Sequence, residues 1–112
     1  MNVMKLAEII GGTVLSGSQS AERQITAGYC CDLLSHVMAS APQDCAWMTV
    51  LTHTNIVAVA ELAGISCIVV PEGISVPPQT TEKADAEQIP PISTELSGYE
   101  VSWRLHDALQ QE

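Results

Sequence analysis

The sequence predicts one α/β domain, a three-layer sandwich built on a mainly parallel sheet. Two observations carry this. Between Gln24 and Thr94 the chain repeats one unit: a short β-branched or apolar run, a polar turn, then a helix-like stretch. The runs are Ile25–Cys31, Ala46–Leu51, Cys67–Val70 and, more weakly, the segment around Ile92. Strands that alternate with helices require crossover connections, and these lay helices on the faces of a parallel sheet. The second observation is size. The 112 residues are 46% hydrophobic, enough for one core, and no linker or low-complexity segment marks a second domain.

The elements follow in order. Val3–Ile10 reads as a short helix, because Val3, Leu6, Ala7 and Ile10 recur at helical spacing. Gly11-Gly12 ends it, since glycine accepts the left-handed conformation at a helix terminus. Thr13–Leu15 is a short strand, and the small, polar Ser16–Arg23 is a loop expected to be mobile. Ile25–Cys31 is the first strong strand. Asp32 then begins a short helix to about Ala39, capping its free amides. A turn around Pro42 leads to the strand Ala46–Leu51. Thr54–Ala63 is apolar on nearly every side and is expected to be buried between the sheet and another body, until Gly64 stops it. Cys67–Val70 is a continuous apolar run, as expected of a central strand covered on both faces. Ile74–Gln79, with Pro77-Pro78, is a loop before a modest helix over Thr80–Ala86. Pro90-Pro91 limits the following strand to about three residues. The last helix runs from about Glu95 to Leu109; Ser97 and Glu100 have capping-box spacing that marks a start of the regular helix there, with Gly98 inside it.

In such a sheet the polar turns share one edge, at the carboxyl ends of the strands, where α/β folds bind ligands. That edge is expected to gather Asp32, Thr52, His53, Thr54, Asn55, Glu72 and Thr94. Amides at the amino end of the Thr54–Ala63 helix suit an anion, with Thr54 and Asn55 as added donors. His53 suits a proton shuttle or pH-sensitive group. The same residues have structural uses: Asp32, Thr54 and Asn55 are good helix caps, and Glu72 in Pro-Glu-Gly is a turn residue. Asp32, His53 and Glu72 come from different loops without ligand spacing, so no metal site is expected. Neither catalytic residues nor a cofactor are expected.

Composition excludes several classes. Four basic against 13 acidic residues give a net charge of -9, which disfavours nucleic acid and anionic membrane surfaces. Only 15% of residues are charged. So little charge over so much apolar surface predicts a buried self-interface, most simply a homodimer. The start, Met1–Leu6, lacks a basic region followed by a long apolar run, and no stretch is long enough to span a membrane. A soluble cytoplasmic protein is expected. None of Cys30, Cys31, Cys45 and Cys67 forms a Cys-x-x-Cys pair. Adjacent Cys30 and Cys31 point to opposite faces of a strand, so buried structural thiols are expected. A redox role would have Cys30, Cys31 and Cys67 as its members. There is no phosphate loop, and the only lysines, Lys5 and Lys83, are far from any glycine-rich turn, so nucleotide phosphoryl transfer is not expected.

Arg23-Gln-Ile-Thr26-Ala27-Gly28-Tyr29, followed by Asp32-Leu33-Leu34, resembles the DRTGG domain family. The resemblance extends through Ala46–Thr49, Thr52–Ala60, Cys67–Gly73 and Ser93–Ser97, nearly the whole chain. Arg23, Thr26, Gly28 and Asp32 carry the signature, with Ala27 where the family has its first glycine. The family is similar to the amino-terminal domain of HPr kinase/phosphorylase, which implies a three-layer fold of that kind. It also implies a regulatory or assembly role like that of relatives accompanying CBS domains. The kinase activity of the multidomain enzyme belongs to another domain with a phosphate loop. Stand-alone relatives near iron-only hydrogenase genes imply a redox system as one setting. The expectation is therefore a non-catalytic module acting through protein contacts, with a small anion or nucleotide sensor and a hydrogenase accessory as alternatives.

Overall fold

A computed structural model describes all of residues 1–112. Its elements in chain order are α1 (Val3–Ile9), β1 (Thr13–Val14), β2 (Ala27–Cys30), α2 (Leu34–Ser40), β3 (Cys45–Met48), α3 (Asn55–Ala63), β4 (Cys67–Val70), α4 (Pro78–Glu87), β5 (Pro91–Ser93) and α5 (Gly98–Gln110). One five-stranded sheet has the order β1-β5-β4-β3-β2. The neighbours from β2 to β5 are parallel, and β1 joins β5 antiparallel.

The continuous apolar strands predict a sheet covered on both faces, and β3 and β4 are buried at every position. Val3 and Leu6 from α1 and Ile10 just after it, with Val101 and Leu105 from α5, cover Ala46, Met48, Cys67 and Val69 on one face. Val37, Ile56, Val57, Ala60 and Ala84 from α2, α3 and α4 cover Cys45, Trp47, Ile68 and Val70 on the other. The three layers are therefore α1/α5, sheet, and α2/α3/α4. Gly12 lets the chain enter the sheet closely. A Cβ there would lie 2.7 Å from Ile92 Cγ2 and 3.0 Å from the Ser93 carbonyl oxygen.

Several expected boundaries move, each for a local reason. The Ser16–Arg23 segment is tied down rather than loose. Gly17 N–H donates to Asp85 Oδ1 at 2.9 Å, and Ala21 and Arg23 carbonyls accept from Met4 and Val3 N–H. Asp32 does not cap α2, which starts at Leu34 with no side-chain cap. Helix α4 starts two residues earlier than expected, because Pro78 sits in its first turn, where a missing N–H is harmless. Helix α5 starts at Gly98, directly after the Ser97 cap that the capping-box spacing marks, with Ser97 Oγ accepting from Glu100 N–H; Gly98 is therefore the first residue of the helix rather than an interior one. Helix α3 is not buried all round: Ile56, Val57, Val59 and Ala60 face the core, but Leu62 is 74% exposed. Tyr99 is exposed as well, whereas Trp47 is fully buried.

Candidate functional site

The expected site residues fall in two places. Arg23 and Thr26 precede β2 at the amino edge of the sheet, where Thr26 N–H donates to the Asp44 carbonyl at 2.9 Å. Gly28 lies within β2. The others follow strands at the carboxyl edge. A four-residue strand is about 13 Å long, so the two groups do not share one small ligand.

At the carboxyl edge the side chains of Asp32, His53 and Thr94 hold the fold. Asp32 Oδ1 accepts from Thr49 Oγ1 at 2.7 Å and from Val50 N–H at 3.0 Å, tying the end of β2 to the end of β3. The Thr52 carbonyl accepts from the buried Thr80 hydroxyl at 2.6 Å, which anchors α4. His53 Nδ1 accepts from Asn55 N–H at 3.1 Å, so His53 supplies the cap expected of Thr54. Thr94 is buried; its hydroxyl donates to the Ile10 carbonyl at 2.8 Å and accepts from Leu96 N–H at 3.2 Å. Glu72 takes a left-handed φ of 61° and is exposed.

A depression of about 220 Å³ does form at this edge, with Asp32, Thr49, Val50, Glu72 and Gly98 among its lining residues. Thr52, His53, Thr54, Asn55 and Thr94 do not line it. It brings two carboxylates together and no lysine or arginine, which is the wrong charge for a phosphate. Thr49 is the member that sequence reasoning missed. In the sequence it is one residue of the strand Ala46–Leu51, and only its hydrogen bond to Asp32 in the fold gives it a role.

A second, more apolar cleft of about 280 Å³ opens beneath α5 beside β2, lined by Gly28, Cys30, Met48, Leu105, His106 and Leu109 among others. Gly28 lets Leu105 of α5 pack directly on β2 here, because a Cβ there would lie 2.7 Å from Leu105 Cδ2. Cys30 Sγ lies 3.4 Å from Ser102 Oγ at the same place.

The thiols are dispersed. Cys30 is exposed and Cys31 half-buried, while Cys45 and Cys67 are buried. In the ladder Cys67 stands level with Ala46, whereas Cys30 pairs with Met48, two residues along and two strands away. That separation is about 11–12 Å, beyond the roughly 7 Å limit for a disulfide. The trio Cys30, Cys31 and Cys67 is not assembled. Burial pushes the Cys45 thiol up to about 11, with the Asp44 charge adding to the rise. Burial also pushes the Cys67 thiol up, beyond the usual thiol range, with Cys45 adding to it.

A family model described as the DRTGG domain matches residues 5–108. No curated protein matches. The fold is similar to a solved structure of the CBS and DRTGG domains of the regulatory region of Clostridium perfringens pyrophosphatase, complexed with activator, diadenosine tetraphosphate. The TM-score is 0.75 at 10% identity, over 93% of this chain and 45% of that chain. The present chain thus spans less than half of the solved chain, and the likeness is one of fold.

Proposed function

The chain belongs to the DRTGG domain family, and we propose that it is a non-catalytic regulatory or assembly module that works as a homodimer through protein contacts. One observation carries this reading. The side chains of Asp32, His53 and Thr94 and the Thr52 carbonyl, all at the carboxyl edge, are engaged in bonds that hold strands and helices together. The exposed surface carries large apolar side chains on the helices and their ends: Leu33 is 64% exposed, Met38 50% and Leu62 74%. Where such side chains join into a contiguous patch they mark interaction surface. No helix is long and apolar enough to cross a membrane, so a bilayer-spanning helix does not account for them. Sedimentation analysis at micromolar concentration tests the reading. A dimer is expected, and a monomer from which no protein partner is recovered overturns it.

A small-ligand sensor is the second reading, favoured by the nucleotide complexed with the pyrophosphatase regulatory region. Its site is the depression beside Asp32, Glu72 and Gly98, with Arg23, Thr26 and Gly28 outside it. The pair of carboxylates there argues for a ligand that brings its own cation. A thermal-shift screen with nucleotides, with and without magnesium, tests it. A shift that disappears in Glu72→Ala supports it, and no shift across the panel removes it. A hydrogenase-accessory role would rest on the accessible Cys30 and Cys31. Replacing both with serine, without effect on hydrogenase activity in a host, would end it.

A further inference from the structure

We infer that the free edge of β2 is the dimer interface, pairing antiparallel with β2 of a second copy about a two-fold axis at Tyr29. The inference rests on the dimeric reading above and names its surface.

The hydrogen-bond directions carry it. In β2 the backbone groups that face β3 belong to Ala27, Tyr29 and Cys31; Cys31 N–H, for example, donates to the Met48 carbonyl. Strand alternation therefore turns the N–H and C=O of both Gly28 and Cys30 to the open edge, and none of these four groups has a partner in the chain. An antiparallel pair exchanges two bonds wherever two outward-facing residues oppose each other. Only one two-fold register uses all four groups. It sets Gly28 opposite Cys30 of the partner subunit and Tyr29 opposite Tyr29 of the partner subunit. Toward the amino end the edge is already covered, because Ile25 N–H donates to the Met1 carbonyl at 2.8 Å. The free ladder is then as long as this register requires.

The edge also lacks the usual protection. Natural edge strands carry charge or proline that discourages pairing. From Gln24 to Cys31 this one carries neither. The opposite edge, β1, is only two residues long. Pairing would join two five-stranded sheets into one. The axis runs perpendicular to the sheet, so each face meets its own copy. On one face Tyr29 would form an aromatic cross-strand pair with its copy, a favourable arrangement. On the other, the apolar cleft beneath α5 opens beside this edge and would be walled by the second subunit. Four hydrogen bonds alone do not make a stable interface, which buries about 800 Å² per partner. The cleft, with Leu33 and Met38 on the α2 side, supplies apolar surface beside the ladder.

Amide hydrogen exchange on the intact protein tests this. Gly28 and Cys30 N–H are expected to be protected although they have no partner within the subunit, and to lose protection on dilution. Tyr29→Cys, in a chain carrying Cys30→Ser and Cys31→Ser, is expected to form a disulfide-linked dimer. Its two thiols would sit in a non-hydrogen-bonded pair with Cα atoms about 4.5 Å apart, inside the disulfide range. Cys30→Pro removes one outward donor per subunit and no internal backbone bond, and Cys30→Ala, which loses the same Ser102 contact but keeps the donor, is its control. The proline is expected to weaken dimerisation about tenfold or more relative to the alanine at unchanged helical content. A protein that sediments as a dimer while Gly28 and Cys30 exchange freely overturns this interface and leaves the dimeric reading standing. A monomer at micromolar concentration overturns both.

Discussion

Replacing Thr94 with valine separates a structural role from a binding role at the carboxyl edge. Valine keeps the shape and removes the hydroxyl. The Ile10 carbonyl then loses the donor now 2.8 Å away, and Leu96 N–H loses the acceptor at 3.2 Å. Thr94 is 3% exposed and Ile10 1%, so the carbonyl has no route to water. An orphaned buried acceptor costs about 1–3 kcal/mol. Leu96 is half-buried and reaches water more easily, so its share is smaller. The expected loss is about 2–3 kcal/mol, a fall in Tm of roughly 8–15 °C for a domain of this size. Thermal unfolding by circular dichroism measures it, with Thr94→Ser as the control that keeps the hydroxyl. A Tm for Thr94→Val within experimental error of the wild type would refute the assignment. It would mean that α1 and the β5 turn do not depend on this bond, and would return Thr94 to the ligand candidates.

Three further outcomes follow from the same geometry. Asp32→Ala should lower stability by about 1–2 kcal/mol, read as a lower denaturation midpoint, because buried Thr49 loses its charged acceptor. Asp32→Asn should recover part of the loss. For pH, the folded state holds the Cys45 proton more tightly than the unfolded chain, with the thiol raised from 9.0 to about 11. Stability from this source is complete below pH 9.0 and declines as pH rises toward 11, by about 1.4 kcal/mol per pH unit. Denaturant titrations of wild type and Cys45→Ala across that window check the sign, and Cys45 and Cys67 should resist alkylation until the protein is unfolded. Finally, acrylamide should quench Trp103, which is 47% exposed, and leave the fully buried Trp47 emitting in Trp103→Phe.

The sheet was legible in the sequence because its signal is local. Cys67–Val70 reads as a central strand from four consecutive apolar residues, and it is one. Ser97 announced its own cap three residues from Glu100. What was not legible depends on partners far along the chain. Thr94 meets Ile10 across 84 positions, and Thr80 meets Thr52 across 28. Asp32 stands where a helix cap belongs. A neighbouring strand end with a free hydroxyl and a free amide attracts its carboxylate instead, and α2 begins two residues later without it. Nothing in the spacing of Asp32 and Thr49 reveals that competition. Leu62 misled in another way. An all-apolar stretch implies burial only if something lies on every side, and the flanks of α3 are covered by α2 and α4 while its outer face is not.

At the carboxyl edge the depression beside Asp32 and Glu72 is the opening that remains, because the crevice the topology offers is closed. In open α/β sheets a crevice forms where neighbouring connections leave toward opposite faces. Here β2, β3 and β4 all lead to helices on one face, and β5 leads to α5 on the other. The two connections therefore part between β4 and β5. Main chain closes that place: Glu72 N–H donates to the Leu96 carbonyl at 2.8 Å and Gly73 N–H to the Thr94 carbonyl at 2.9 Å. Glu72 adopts its left-handed backbone to make this link, a conformation that a non-glycine residue holds only when its surroundings fix it. The Glu95 carboxylate packs so closely on Gly73 that a Cβ there would lie 2.5 Å from Oε2. The one crevice that topology would offer is thus spent on holding β4 and β5 together, whereas at the far edge of the sheet Gly28 and Cys30 of β2 keep unpaired backbone groups.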